Sequence, residues 1–71
     1  MQKDELKKAL DQHKKWLNNE DGGKRANLKY ADLKYADLKY ANLGGAYLEG
    51  AYLEGASLVW ACLVEAYLAG T

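Results

Sequence analysis

The chain has no excess of either charge. Ten Lys and Arg face ten Asp and Glu, and the balance holds within residues 1–23 and within 24–71. Nucleic-acid affinity depends on surplus Lys and Arg, so direct nucleic-acid binding is not expected. A strongly acidic mimic of DNA is equally disfavoured. Cysteine is down to one residue, Cys62, which excludes an internal disulfide and points to a cytoplasmic protein. One histidine, His13, and that one cysteine cannot build a zinc site unaided. No apolar run approaches the roughly 20 residues of a membrane span, and the N-terminus lacks the apolar core of a signal peptide. At 71 residues the chain holds one domain at most, and a 49% hydrophobic composition fits a folded one.

What the chain does have is a period of five. From Ala26 it reads ANLKY, ADLKY, ADLKY, ANLGG, AYLEG, AYLEG, ASLVW, ACLVE, AYLAG, then Thr71. Ala recurs at every fifth position from 26 to 66, and Leu at every fifth from 28 to 68. Five residues of α-helix turn through about 500°, so the leucines would spray around such a helix. In a flat strand an odd repeat sends successive leucines to opposite faces. A chain that turns about 90° per pentad avoids both faults. Ala and Leu, two apart, then share the inner side, and four segments close a coil of 20 residues stacked at roughly 4.8 Å. Glycines 44, 45, 50, 55 and 70 lie beside the corners, where a type II turn needs positive φ.

The nine pentads resemble the A(D/N)LXX motif of the pentapeptide repeat proteins. Residues 13–28, HKKWLNNEDGGKRANL, are similar to the helical lead-in of many bacterial and phage-borne members. The resemblance implies an all-β solenoid: a right-handed quadrilateral β-helix, here of about two coils, with an N-terminal α-helical cap. The later pentads depart from the motif, with Tyr47, Tyr52, Ser57, Cys62 and Tyr67 in place of Asp or Asn, and Phe is absent. Residues 1–25 are assigned to the cap and linker, and 26–71 to the repeat. Leu28, Leu33, Leu38, Leu43, Leu48 and Leu53 are the expected core.

Residues 20 apart should be neighbours on adjacent coils. Lys29 is then expected over Glu49, Lys34 over Glu54, Tyr30 over Gly50, Tyr35 over Gly55, Tyr40 over Trp60 and Tyr47 over Tyr67. Two open coil ends call for caps. The pattern predicts a helix over 4–18 with Asp4 as N-cap, its Leu6, Ala9, Leu10, Trp16 and Leu17 covering the first coil. No cap follows the ninth pentad, and the outside of the last coil is apolar. A two-fold homodimer is therefore expected there, through Leu58, Val59, Trp60, Leu63, Val64, Tyr67 and Leu68. End-to-end dimers in several family members point the same way.

No catalytic constellation is visible, and no cofactor or metal is expected. His13 reads as a solvated or cap-packing residue, and Cys62 has no histidine beside it to activate it. Asp32 and Asp37 fall on consecutive faces, as do the Lys29, Lys34 and Lys39 positions. A small non-enzymatic protein-binding module is the leading reading. Tyr30, Tyr35, Tyr40, Tyr47 and Tyr52 are its candidate target contacts, and a phage or bacterial inhibitor of a host enzyme or defence complex is one form of it. Two alternatives are a gyrase-binding DNA mimic, as known in the family, and a structural self-assembling solenoid, possibly designed.

Overall fold

The computed structural model describes Met1–Thr71. One helix, α1 (Lys3–Leu17), precedes the repeat. Its Lys, Leu, Ala, Glu and Gln are good helix formers, and no Gly or Pro interrupts it. Asp4 and Glu5 sit in the first turn, and Lys14 and Lys15 in the last, matching the helix dipole. The N-cap is Gln2 rather than Asp4, in extended conformation and without a side-chain cap bond. Asp4 lies two residues past the N-cap, inside the first turn, so it acts through its charge on the helix dipole. At the other end Asn19 takes φ 56°. The Asn19 N–H donates to the Trp16 carbonyl, and that of Glu20 to the Lys15 carbonyl at 2.9 Å. This is a Schellman ending with Asn in the left-handed position. Gly23 then passes so close to α1 that a Cβ there would stand 2.5 Å from the Trp16 nitrogen.

From Ala26 the backbone returns to the same place every twenty residues. Parallel bridges join Asn27 to Tyr47, Asp32 to Tyr52, Asp37 to Ser57, Asn42 to Cys62 and Tyr47 to Tyr67. Four pentads thus complete one winding, in the expected register. The bridges are isolated, however, and no strand is longer than one bridged residue. The expected all-β architecture is corrected to that extent: the only regular element is α1. The reason is the period itself, since a corner follows every leucine. At each of the nine corners the N–H five residues after one alanine donates to the preceding leucine carbonyl, as Ala31 does to Leu28 at 3.1 Å.

The fifth residue of all nine pentads has positive φ. Glycine fills it at 45, 50, 55 and 70, where that conformation carries no steric cost. Tyr30, Tyr35, Tyr40, Trp60 and Glu65 adopt it too, with φ of 59–63°. Gly44, expected among the corner glycines, has no positive φ and sits one position earlier. In the first four pentads the motif's Asn or Asp braces the corner. Asn27, Asp32, Asp37 and Asn42 each accept from the backbone N–H two residues on, at 3.1–3.2 Å. Tyr30, Tyr35 and Tyr40 therefore hold a left-handed conformation over a braced turn, whereas Trp60 and Glu65 follow Ser57 and Cys62 and have no such brace.

The core runs up the middle of the windings. Leu28, Leu33, Leu38, Leu43 and Leu48 are buried, with Ala26, Ala46 and Ala51. Leu53 is only partly buried, unlike the other expected core leucines, because no winding lies beyond it. Burial continues to fall along the last winding, and Leu68 is 38% exposed. At the opposite end Leu6, Ala9 and Leu10 of α1 pack against the core cluster.

Candidate functional site

Three surfaces present side chains on this backbone. The first is the junction of α1 with the windings. His13 is fully buried there, at 0% exposure. The Ala26 N–H donates to His13 Nδ1 at 2.9 Å, so that nitrogen carries a lone pair. Nε2 therefore bears the hydrogen and donates to the Gly44 carbonyl at 2.8 Å. The ring stacks on Trp16 with centroids 5.2 Å apart. One imidazole thus ties the start of the first winding, its closing corner and α1 together. Of the two roles expected for His13, cap packing is the one observed. Trp16, placed by the sequence on the covering face, is 36% exposed.

Arg25 extends this junction along one side. Its Nε donates to the Gly45 carbonyl at 2.7 Å, and Nη1 to the Tyr47 hydroxyl at 2.9 Å. The guanidinium carbon lies 5.0 Å from the Trp16 centroid, 4.4 Å from that of Tyr47 and 5.6 Å from that of Tyr67. Tyr47 and Tyr67 stack as the register requires, at 5.1 Å and 22°. Lys29 joins them, with Nζ 5.1 Å from the Tyr47 centroid. Tyr47 is consequently half-buried and engaged on several sides, so it is not presented as the free contact expected from its outward position.

Lys29 also departs from its expected pairing with Glu49. The register is right, since the Tyr30 N–H donates to the Glu49 carbonyl at 2.9 Å. Yet the Lys29 head lies over Tyr47, and Glu49 Oε1 is buried without a hydrogen-bond partner. Lys34 likewise lies over Tyr52, 5.9 Å from the centroid, where Glu54 was the expected partner. An aromatic face two positions away competes successfully with the carboxylate on the next winding.

The second surface is the tyrosine-bearing corners. Tyr30, Tyr35, Tyr40 and Tyr52 are exposed, Tyr35 at 81%. The gaps expected opposite two of them are real. A Cβ on Gly50 would stand 2.5 Å from Tyr30 Cδ1, and one on Gly55 would stand 2.4 Å from Tyr35 Cδ1. Tyr40 and Trp60 share the register, through the Tyr40 N–H donating to the Val59 carbonyl. Their rings do not stack; both point outward and stay exposed.

The third surface is the last winding. Val59, Trp60, Val64, Tyr67 and Leu68 are exposed, with Trp60 at 78%. Leu58 and Leu63 are partly buried. Cys62 is a free thiol of intermediate exposure. No group of three or more His, Cys, Asp or Glu side chains is placed to hold a metal ion. Asp32 and Asp37 are spent on the backbone of their own corners. No helix is long and apolar enough to cross a membrane.

No curated protein and no solved structure matches the chain. A family model, described as pentapeptide repeats, matches residues 31–70 in eight copies. The first pentad, 26–30, lies outside that match, although its bridge and corner repeat the geometry of the others. The match spans more than half of the sequence, and the matched residues are those that wind with the twenty-residue register: the chain belongs to the pentapeptide repeat family.

Proposed function

We propose that this chain is a non-enzymatic protein-binding module wound as a right-handed quadrilateral β-helix. It takes a macromolecular target on its rigid side faces and pairs with a second copy through its C-terminal coil. The observation that carries this reading is the exposure of large apolar side chains on a backbone with little freedom left. Tyr30, Tyr35 and Tyr40 stand out from corners that are braced by Asn or Asp and bonded to the next winding. A ring held this way loses little entropy on binding, and Tyr is among the residues favoured at interface centres. A phage or bacterial inhibitor of a host enzyme or defence complex is the form of target binding we favour. A gyrase-binding DNA mimic fits less well, because the net charge is zero.

The two-fold pairing has backbone support. On each face of the last winding, one alanine carbonyl, one leucine N–H and the fifth-residue N–H have no backbone partner, and the first two of these suit a two-fold contact. The alanine carbonyl and leucine N–H are reciprocal about a two-fold axis, as in antiparallel pairing, while the fifth-residue N–H is left to water. Light scattering tests this part: the parent should have twice the chain mass, and a Trp60→Ser, Val64→Ser variant the single mass. A monomeric parent at high micromolar concentration would refute the dimer. For the target, the parent and a Tyr30→Ala, Tyr35→Ala, Tyr40→Ala variant are immobilised and challenged with bacterial lysate. A protein held by the parent and lost by the variant is the expected result. Recovery of only its own chain would favour the structural self-assembling reading instead.

A further inference from the structure

Each pair of stacked pentads is joined by three backbone bonds of fixed polarity. The leucine and fifth-residue N–H groups of the earlier pentad donate to the later one, as Leu28 does to Tyr47 and Tyr30 to Glu49. One bond returns, as from the Tyr47 N–H to the Ala26 carbonyl. The two ends of the stack are therefore unlike. Among the groups of the kind that bond between windings, the last four pentads, 51–70, leave eight N–H groups (of the leucines and fifth residues) and four alanine carbonyls without a backbone partner. The first four, 26–45, leave the reverse set of such groups: eight carbonyls, of the second and fourth residues, and four second-residue N–H groups outside the backbone pairing. The ends are complementary, group for group.

They also fit in shape. Nine pentads at four per winding end one pentad beyond two full turns. A second chain that sets its first pentad on pentad six of the first therefore brings its fourth pentad onto pentad nine. All twelve bonds between four stacked pairs can then form, at the three per pair seen within the chain. The open leucine column at 53–68 would meet the buried one at 28–43. What stands in the way is α1. Its His13 occupies the Gly44 carbonyl, and the Met1 amine the Asp32 carbonyl at 2.8 Å. Leu6, Ala9 and Leu10 cover the leucines that the next chain would touch.

We propose that α1 is an assembly stop: without it on the first winding, copies of this chain stack head to tail through complementary ends into rods. An uncovered edge with unpaired backbone groups is a template for pairing, and repeat arrays remain soluble through their terminal caps. Here the cap closes the acceptor-rich end and so also deprives the donor-rich end of its best partner. The inference rests on the twenty-residue winding. It does not rest on the two-fold dimer, which competes for the same C-terminal edge and is judged separately by the mass of the parent.

The test undocks α1 in the full chain with Leu10→Lys and His13→Lys. The parent should keep a fixed mass. The variant should grow with concentration into rods visible by negative-stain electron microscopy. Excess parent should shorten those rods, because it offers a free C-terminal edge and a covered start and so ends each chain it joins. A variant with displaced α1 that keeps the parent's mass, or rods that excess parent leaves unchanged, would overturn the proposal. Should the variant lose its far-UV circular dichroism signal, the edge is tested in cis. Residues 26–45 are repeated after Gly70, and an increased melting temperature with unchanged oligomeric state is expected. No increase would show that the C-terminal edge does not accept a further winding, and the proposal fails.

Discussion

Replacing His13 by alanine should cost as much as most of the fold's stability. The ring is wholly buried and serves two backbone groups on two different corners. Its loss leaves the Ala26 N–H and the Gly44 carbonyl without partners, at ~1–3 kcal/mol each when they stay dry. Truncating a buried ring against Trp16 adds about 3 kcal/mol. The total, about 5 kcal/mol or more, compares with the ~0.05–0.15 kcal/mol per residue by which domains of this kind are stable. His13→Leu separates the two contributions. It keeps apolar volume against Trp16 and removes both hydrogen bonds, so it should still lose about 3 kcal/mol. Urea unfolding followed by far-UV circular dichroism gives all three midpoints. A leucine variant within about 1 kcal/mol of the parent would refute the reasoning, since packing alone would then explain the burial.

Two further substitutions probe the corners. Gly55→Ala should destabilise by about 1–2 kcal/mol, because φ is +71° and the new Cβ displaces the Tyr35 ring, whereas Gly70→Ala should cost only the φ term, its nearest neighbour being 3.7 Å away. Thermal melts of the pair rank them, and equal losses would mean that the Tyr35 contact contributes nothing. Ser57→Asn should stabilise by about 0.5–1 kcal/mol, since it stacks on braced Asp37 and can accept from the Val59 N–H before the strained Trp60. A neutral or lower melting temperature would show that the brace is not transferable to the last winding.

Much of the architecture was legible because the repeat is short. A five-residue period admits few backbone paths, and once four pentads close a winding, every neighbour is twenty residues away. Tyr30 against Gly50, Tyr35 against Gly55 and Tyr47 against Tyr67 followed from counting alone. The Asn and Asp of the early pentads were legible as a motif but not as braces, because their role is seen only in the backbone bonds they accept. His13 left one signal, its place in the helical stretch leading to the repeat, and nothing in its spacing marked it as the most buried polar group.

The sequence by itself determined the period, the register and the inward leucines, because these arise from contacts that recur identically at every repeat and need no knowledge of how distant parts meet. The tertiary structure alone decided what happens where the repetition stops. Docking of α1 buried His13, placed Arg25 among Trp16, Tyr47 and Tyr67, and left the last winding bare. Lys29 and Lys34 turned from the expected carboxylates to the aromatic faces of Tyr47 and Tyr52. Long side chains and a non-repeating helix settle by competition among several partners within reach, and only the assembled chain brings those partners together.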